Sequence, residues 1–158
     1  MNEDRIQRLE LVSLKMVREK TSVYNQKQVE SPEDALEILQ DFKDSDRENF
    51  VLLCLNTKNI PTCISVISRG KLDTSLVHPR EVFKLAYTSN SAGIIICHNH
   101  PSGIVTPSEE DIVLTDRLIE AGEILGIQVL DHLIISFDSY SAYSMNWKIS
   151  ELNQDDKS

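Results

Sequence analysis

The chain has 158 residues, 41% of them apolar and 26% charged, a balance that suits one globular domain with its own core and excludes a fibrous or low-complexity chain. Twenty-five acidic against sixteen basic residues leave a net charge of −9, so the overall field repels DNA and anionic membranes. No apolar stretch is long enough to span a bilayer, and the charged start MNEDRIQRLE lacks the apolar segment of a signal peptide. Cys54, Cys63 and Cys97 show no CxxC spacing, so buried free thiols in a reducing, cytoplasmic compartment are expected.

Residues 1–30 are expected as an N-terminal extension belonging to the domain, with a strand over LVSLKMV, Leu11 to Val17, where apolar and polar residues alternate. Ser31, Pro32, Glu33 and Asp34 have the chemistry of a helix start, and Ala35, Leu36, Ile38, Leu39 and Phe42 then share one face. FVLLCLNTKNIPTCISVIS predicts two strands, 50–56 and 61–68, around an Asn-Thr-Lys-Asn turn, with Pro61 marking an edge strand or a first residue. HPREVFKLAYTSN predicts a second amphipathic helix carrying Val82, Phe83, Leu85 and Ala86. AGIIIC reads as a short buried strand, Ser108 to about Leu125 as a third helix stopped by Gly126, and IQVLDHLIIS, 127–136, as a further strand. Interleaved strands and helices predict an α/β (α+β) domain over 31–148, a single mixed sheet packed with helices on its faces. Residues 149–158 are expected to be a disordered tail.

The stretch IIICHNHPSGIVTPSEED, 94–111, sets two histidines at the end of an apolar strand. Strand alternation sends His98 and His100 to one face and Asn99 to the other, and the following helix start can bring Asp111 back toward the two imidazoles. Two nitrogens and one carboxylate oxygen make an open three-ligand set for Zn²⁺, with the fourth position left for water. The same residues also read as plain structure. Ser108 with Asp111 three residues later is a capping box, and the histidines can be a polar strand end; for Ser108 the two readings are compatible.

His98, His100, Ser108 and Asp111 fit the spacing HxH, seven residues, Ser, two residues, Asp, and are similar to the JAMM motif of the JAB/MPN metalloprotease fold, whose architecture resembles that of the cytidine deaminases. With HPREVFKLA, HNHPSG, PSEEDIVLTDRL and VLDHLIIS in order, the chain resembles the RadC branch of that fold over about residues 10–145. It is expected to be a short form without the N-terminal helix-hairpin-helix region of many members. The resemblance implies a zinc hydrolase acting on a peptide or isopeptide bond of a protein substrate, with Zn²⁺ on His98, His100 and Asp111. It further implies Glu48 as general acid and base and Ser108 as donor to the oxyanion. Glu48, beside Arg47 and near Asp46, also fits a plain surface charge, and Glu81 is a competing base.

The family's DNA-repair label, and short forms carried on mobile elements, imply an alternative: a binding module or a metal-dependent nuclease. The literal string HNH is not the nuclease motif of that name, whose residues are spread over a larger unit. A zinc deaminase would need HxE with a CxxC pair, which the chain lacks. Nucleic acid is not an expected partner for this chain alone, because no basic patch supplies phosphate contacts; no membrane partner is expected, and a homodimer is compatible with the sequence. His78 and His132 read as structural hydrogen-bonding groups, with Asp131 placed to orient His132 and either of that pair able to support the site from behind the ligands. Tyr140, Tyr143 and Trp147 read as packing, and loops 69–77 and 102–107 as walls of a substrate groove.

Overall fold

Six strands and three helices form among the residues that the computed structural model describes, 9–21, 27–70 and 77–152. In chain order they are α1 (Pro32–Leu39), extended by a 3-10 turn at Gln40–Phe42, β1 (Asn49–Leu55), β2 (Pro61–Arg69), α2 (Pro79–Thr88), β3 (Gly93–Asn99) and α3 (Glu109–Leu125). β4 (Gln128–Ile135), β5 (Ser139–Ala142), a 3-10 turn at Tyr143–Met145 and β6 (Ile149–Glu151) follow. α1 begins as its sequence requires. The Ser31 hydroxyl accepts from the Asp34 amide at 3.3 Å and the Asp34 carboxylate accepts from the Ser31 amide at 3.1 Å, so two orphan donors of the first turn are satisfied.

The strands make one mixed sheet in the order β2-β1-β3-β4-β5-β6, with β2 at an edge as Pro61 implies. All neighbours are antiparallel except β3 and β4. A parallel pair needs a crossover, and α3 supplies it. The helix stops at Gly126 in the left-handed region, φ 73°, and Gly122 lets it lie against the start of β4, because a Cβ there would collide with the Ile127 carbonyl.

Every residue of β1 and β3 is buried, which is why both read as unbroken apolar runs rather than alternating ones. One face packs Val51, Leu53, Ile95, Cys97 and Leu133 against Leu36 and Leu39 of α1. The other packs Phe50, Leu52, Ile94 and Ile96 against Val82 and Phe83 of α2 and Leu114 and Leu118 of α3. Each such side chain taken fully out of water contributes about 1.5–3 kcal/mol. The three cysteines are free, Cys54 and Cys97 buried and Cys63 half-buried on the edge strand.

Two expectations are corrected. Leu11 to Val17 forms no strand: residues 9–21 carry no regular structure and are exposed, because alternation prepares a face but a strand exists only through a ladder with a neighbour. The chain after 148 is not wholly a disordered tail. Ile149–Glu151 pairs antiparallel with β5, and the Leu152 amide donates to the Asp138 carbonyl at 2.8 Å. β5 also went unforeseen, since SYSA is too short and too polar to show a strand period. Residues 153–158 lie outside the described residues.

Candidate metal centre

β3 carries His98 on the face toward α2 and α3, and His100 follows at the strand's end, where its amide donates to the Ile135 carbonyl of β4 at 2.8 Å. The chain then turns sharply: the Gly103 amide donates back to the His100 carbonyl at 3.0 Å, and Gly103 takes φ 85°, a conformation that costs glycine little. The turn sets the Ile104 carbonyl 2.6 Å from His100 Nδ1. A carbonyl only accepts, so Nδ1 carries a proton and, in the neutral ring that a metal would require, Nε2 keeps its lone pair.

Asp111 reaches the same place from α3. Ser108 caps the helix, its hydroxyl oxygen accepting from the Asp111 amide at 3.1 Å while Asp111 Oδ2 accepts from the Ser108 amide at 2.8 Å. Asp111 Oδ1 lies 3.4 Å from His98 Nε2, and His98 Nε2 lies 2.8 Å from His100 Nε2. One donor atom from each of His98, His100 and Asp111 therefore falls within 4.8 Å of the others. The capping box and the cluster coexist because they use different oxygens of one carboxylate.

His98 and Asp111 are buried and His100 is half-buried, so the cluster opens to solvent on the His100 side. Burial pushes the His98 imidazole down to about 4, with His100 acting in the same direction and Asp111 against it. His132 is pushed well below its ordinary value by burial and then by His98 and His100. Burial thus favours the neutral form of both rings, in which the contact of His98 with Asp111 is not an ion pair. With its proton on Nδ1, His98 would turn a lone pair toward His100 Nε2 and Asp111 Oδ1, an arrangement that repels unless a cation sits among them. The donor set fits Zn²⁺, with two imidazoles, one carboxylate and an open side.

Behind the cluster, His98 Nδ1 lies 2.9 Å from His132 Nε2, and His132 Nδ1 lies 2.7 Å from Thr115 Oγ1. Phe50 stacks on His98 at 6.1 Å between ring centres, and Trp147 meets His132 edge-on at 5.5 Å. The expectation that Asp131 orients the His132 ring is corrected. Consecutive strand residues face opposite ways, and the Asp131 carboxylate accepts from the amide and hydroxyl of Ser144 and from the backbone amide of His132. His78 does cap α2 structurally, its Nδ1 accepting from the Arg80 amide at 3.2 Å.

Glu48 immediately precedes β1. Phe50 pairs with His98, so two residues back along the antiparallel ladder bring Glu48 level with His100. It lines an open depression of about 430 Å³ with Asp46, Arg47, Gly70, Pro101 and Ser102. Parts of both expected groove loops thus meet there, while residues 71–76 lie outside the described residues. Glu81 is exposed in the first turn of α2, 4.0 Å from Arg80, and lines neither the depression nor the cluster.

Sequence reasoning missed two side chains. Asn99 points away from the histidines, accepts from the Asn49 amide at 2.7 Å and donates to the Arg47 carbonyl at 2.8 Å, holding the backbone on both sides of Glu48. Its place between two histidines was the available signal. Thr115 donates to the Asp111 carbonyl at 2.6 Å and touches His132; its offset of four from Asp111, on the same helix face, was the signal there.

A helix-flanked mixed sheet whose two central strands end at a histidine-histidine-aspartate cluster defines a JAB-type domain. The RadC-like JAB domain profile matches residues 29–149, and the chain belongs to that family. It is 53% identical over 115 residues to a UPF0758 protein of Desulforamulus reducens, covering 72% of this chain and 51% of that protein. The UPF0758 proteins of Staphylococcus epidermidis and Moorella thermoacetica are 46% and 55% identical over 123 and 108 residues, covering 77% and 68% of this chain and 54% and 47% of theirs. The chain spans about half the length of the curated relatives it matches. Among the described residues no helix is long and apolar enough to cross a membrane.

Proposed function

We propose that this domain is a zinc-dependent metallohydrolase of the JAMM type that cleaves a peptide or isopeptide bond in a protein substrate. The observation that carries the reading is the convergence of His98 Nε2, His100 Nε2 and Asp111 Oδ1, buried on one side and open on the other. A bound Zn²⁺ would supply Lewis acidity toward the scissile carbonyl and toward water.

The chain's own residues do the rest. Glu48, level with His100 and held through its backbone neighbours by Asn99, takes a proton from the attacking water and returns it to the leaving amine nitrogen. Ser108 Oγ accepts from the Asp111 amide with a lone pair, so its hydroxyl proton is not consumed by that bond and donates to the oxyanion. The depression beside Glu48 receives the polypeptide flanking the bond. The ligand atoms and Glu48 all come from one chain, so a homodimer is not required for chemistry. Glu109 and Glu110 beside the cluster, with the net charge of −9, oppose a phosphodiester and favour peptide over DNA as substrate. The free thiols suit action in the cytoplasm.

Metal analysis of the purified chain followed by an unbiased peptide-cleavage screen tests the proposal. Zinc near one per chain and a cleavage abolished in Asp111→Ala are expected. Metal-dependent nicking of duplex DNA lost in Asp111→Ala, or submicromolar DNA binding that weakens steeply with salt, would overturn it.

A further inference from the structure

Resting on the zinc reading above, we infer that His132 is a positioning residue: through Thr115 it fixes the tautomer of His98 and ties the metal ligand on β3 to the ligand on α3. Proton counting carries the inference. Thr115 has one hydroxyl proton, and the Asp111 carbonyl 2.6 Å away can only accept it. Toward His132 the Thr115 oxygen is therefore an acceptor, and His132 Nδ1, 2.7 Å away, must be the donor. One proton serves the 2.9 Å contact between His132 Nε2 and His98 Nδ1, and a His98 that offers its Nε2 to the metal carries its proton on Nδ1, so His132 Nε2 is the bare, accepting nitrogen. The proton of neutral His98 is thus confined to Nδ1, and its Nε2 lone pair faces His100 and Asp111.

The two ligand histidines solve one problem differently. His100 gives its Nδ1 proton to a backbone carbonyl in its own turn, which any residue at 104 supplies. His98 gives its proton to a side chain on another strand, and that side chain is held by the helix bearing Asp111. His132, Thr115 and the Asp111 carbonyl are buried, so water does not substitute for a missing partner. Displacing any link misaligns a nitrogen ligand and an oxygen ligand together.

The test compares His132→Phe, which keeps a ring but loses the acceptor, with His132→Gln, whose amide offers an N–H and a carbonyl oxygen side by side as the imidazole offers its N–H and bare nitrogen. Zinc affinity of the full chain is read by competition with a chromophoric chelator, and the His98 tautomer by ¹⁵N NMR of the metal-free protein. His132→Phe is expected to weaken zinc about 10–100-fold, the usual effect of losing the partner behind a metal-bound histidine, with His132→Gln recovering most of it. The wild-type spectrum is expected to show His98 protonated at Nδ1. A folded His132→Phe with unchanged affinity and tautomer overturns the inference. Should that variant not fold, a wild-type His98 protonated at Nε2 overturns it equally. Wild-type protein that binds no zinc while His98 is held in the Nδ1–H tautomer would instead remove the metal reading and leave the relay standing.

Discussion

On the α1 side of the sheet Cys97 and Leu133 pack among leucines, and the polar groups on that side close on one another: Tyr140 donates to Glu33, Ser144 to Asp131, and Asn99 bridges Arg47 and Asn49. One residue along the same strands, toward α2 and α3, His98 and His132 are as deeply buried, yet in the relay inferred above the chain of donors ends in atoms that all offer lone pairs. Exclusion of water does not distinguish the two faces. Complementarity does: polar groups that satisfy one another hold the fold together, whereas a buried group of like polarity is built for a partner of opposite charge.

The sharpest way to break this contrast is to remove a donor from the metal face. His98→Ala, His100→Ala and Asp111→Ala should each strip most zinc from the purified protein and abolish hydrolysis, as measured by metal content and turnover of a substrate found by screening. One tight zinc surviving all three changes would sink the site. Glu48→Gln comes next. Zinc should stay while turnover falls about 10²–10⁴-fold, the range for losing a general base; loss of zinc would make Glu48 a ligand.

On the opposite face the expected losses are in stability. Asn99→Ala leaves the buried Asn49 backbone amide without its acceptor, while the Arg47 carbonyl keeps the Asn49 side-chain amide at 3.0 Å; the loss costs about 1–3 kcal/mol, readable in urea denaturation with metal content unchanged. The smallest effect is a pH dependence. The hydrogen bond from Tyr140 holds the Glu33 carboxyl below its ordinary value near 4.5. Its stabilisation is present above that value and lost as pH falls through the lower, folded-state one. Tyr140→Phe should therefore make stability less sensitive to acid below about pH 4.5 and leave zinc binding untouched; an unchanged acid profile would show that the α1 face does not depend on this pair.

What could be read beforehand follows the range of the interactions. His98 and His100 share a face by strand period, and Ser108 with Asp111 is a local capping signal, so the ligand set was legible within fourteen residues. α1 was legible for the same reason, from Ser31 to Asp34. The partnership of Asn99 with residues 47 and 49, and of His132 with Thr115 and His98, spans the sheet and leaves no local period. β5 and β6 exist through their pairing with β4 and each other, and Leu11 to Val17 shows the converse, a strand pattern that no ladder takes up.

The divided carboxylate of Asp111 constrains how such a domain drifts over evolution. A lineage that ceased to need metal would not discard this side chain freely, because alanine releases the Ser108 amide along with the ion and loosens the first turn of α3. Asparagine keeps an oxygen for that amide and drops only the negative charge. On the proposed reading, the open route from enzyme to inert scaffold therefore runs through Asp111→Asn, an exchange of one carboxylate oxygen for an amide nitrogen that would retire the chemistry and spare the helix.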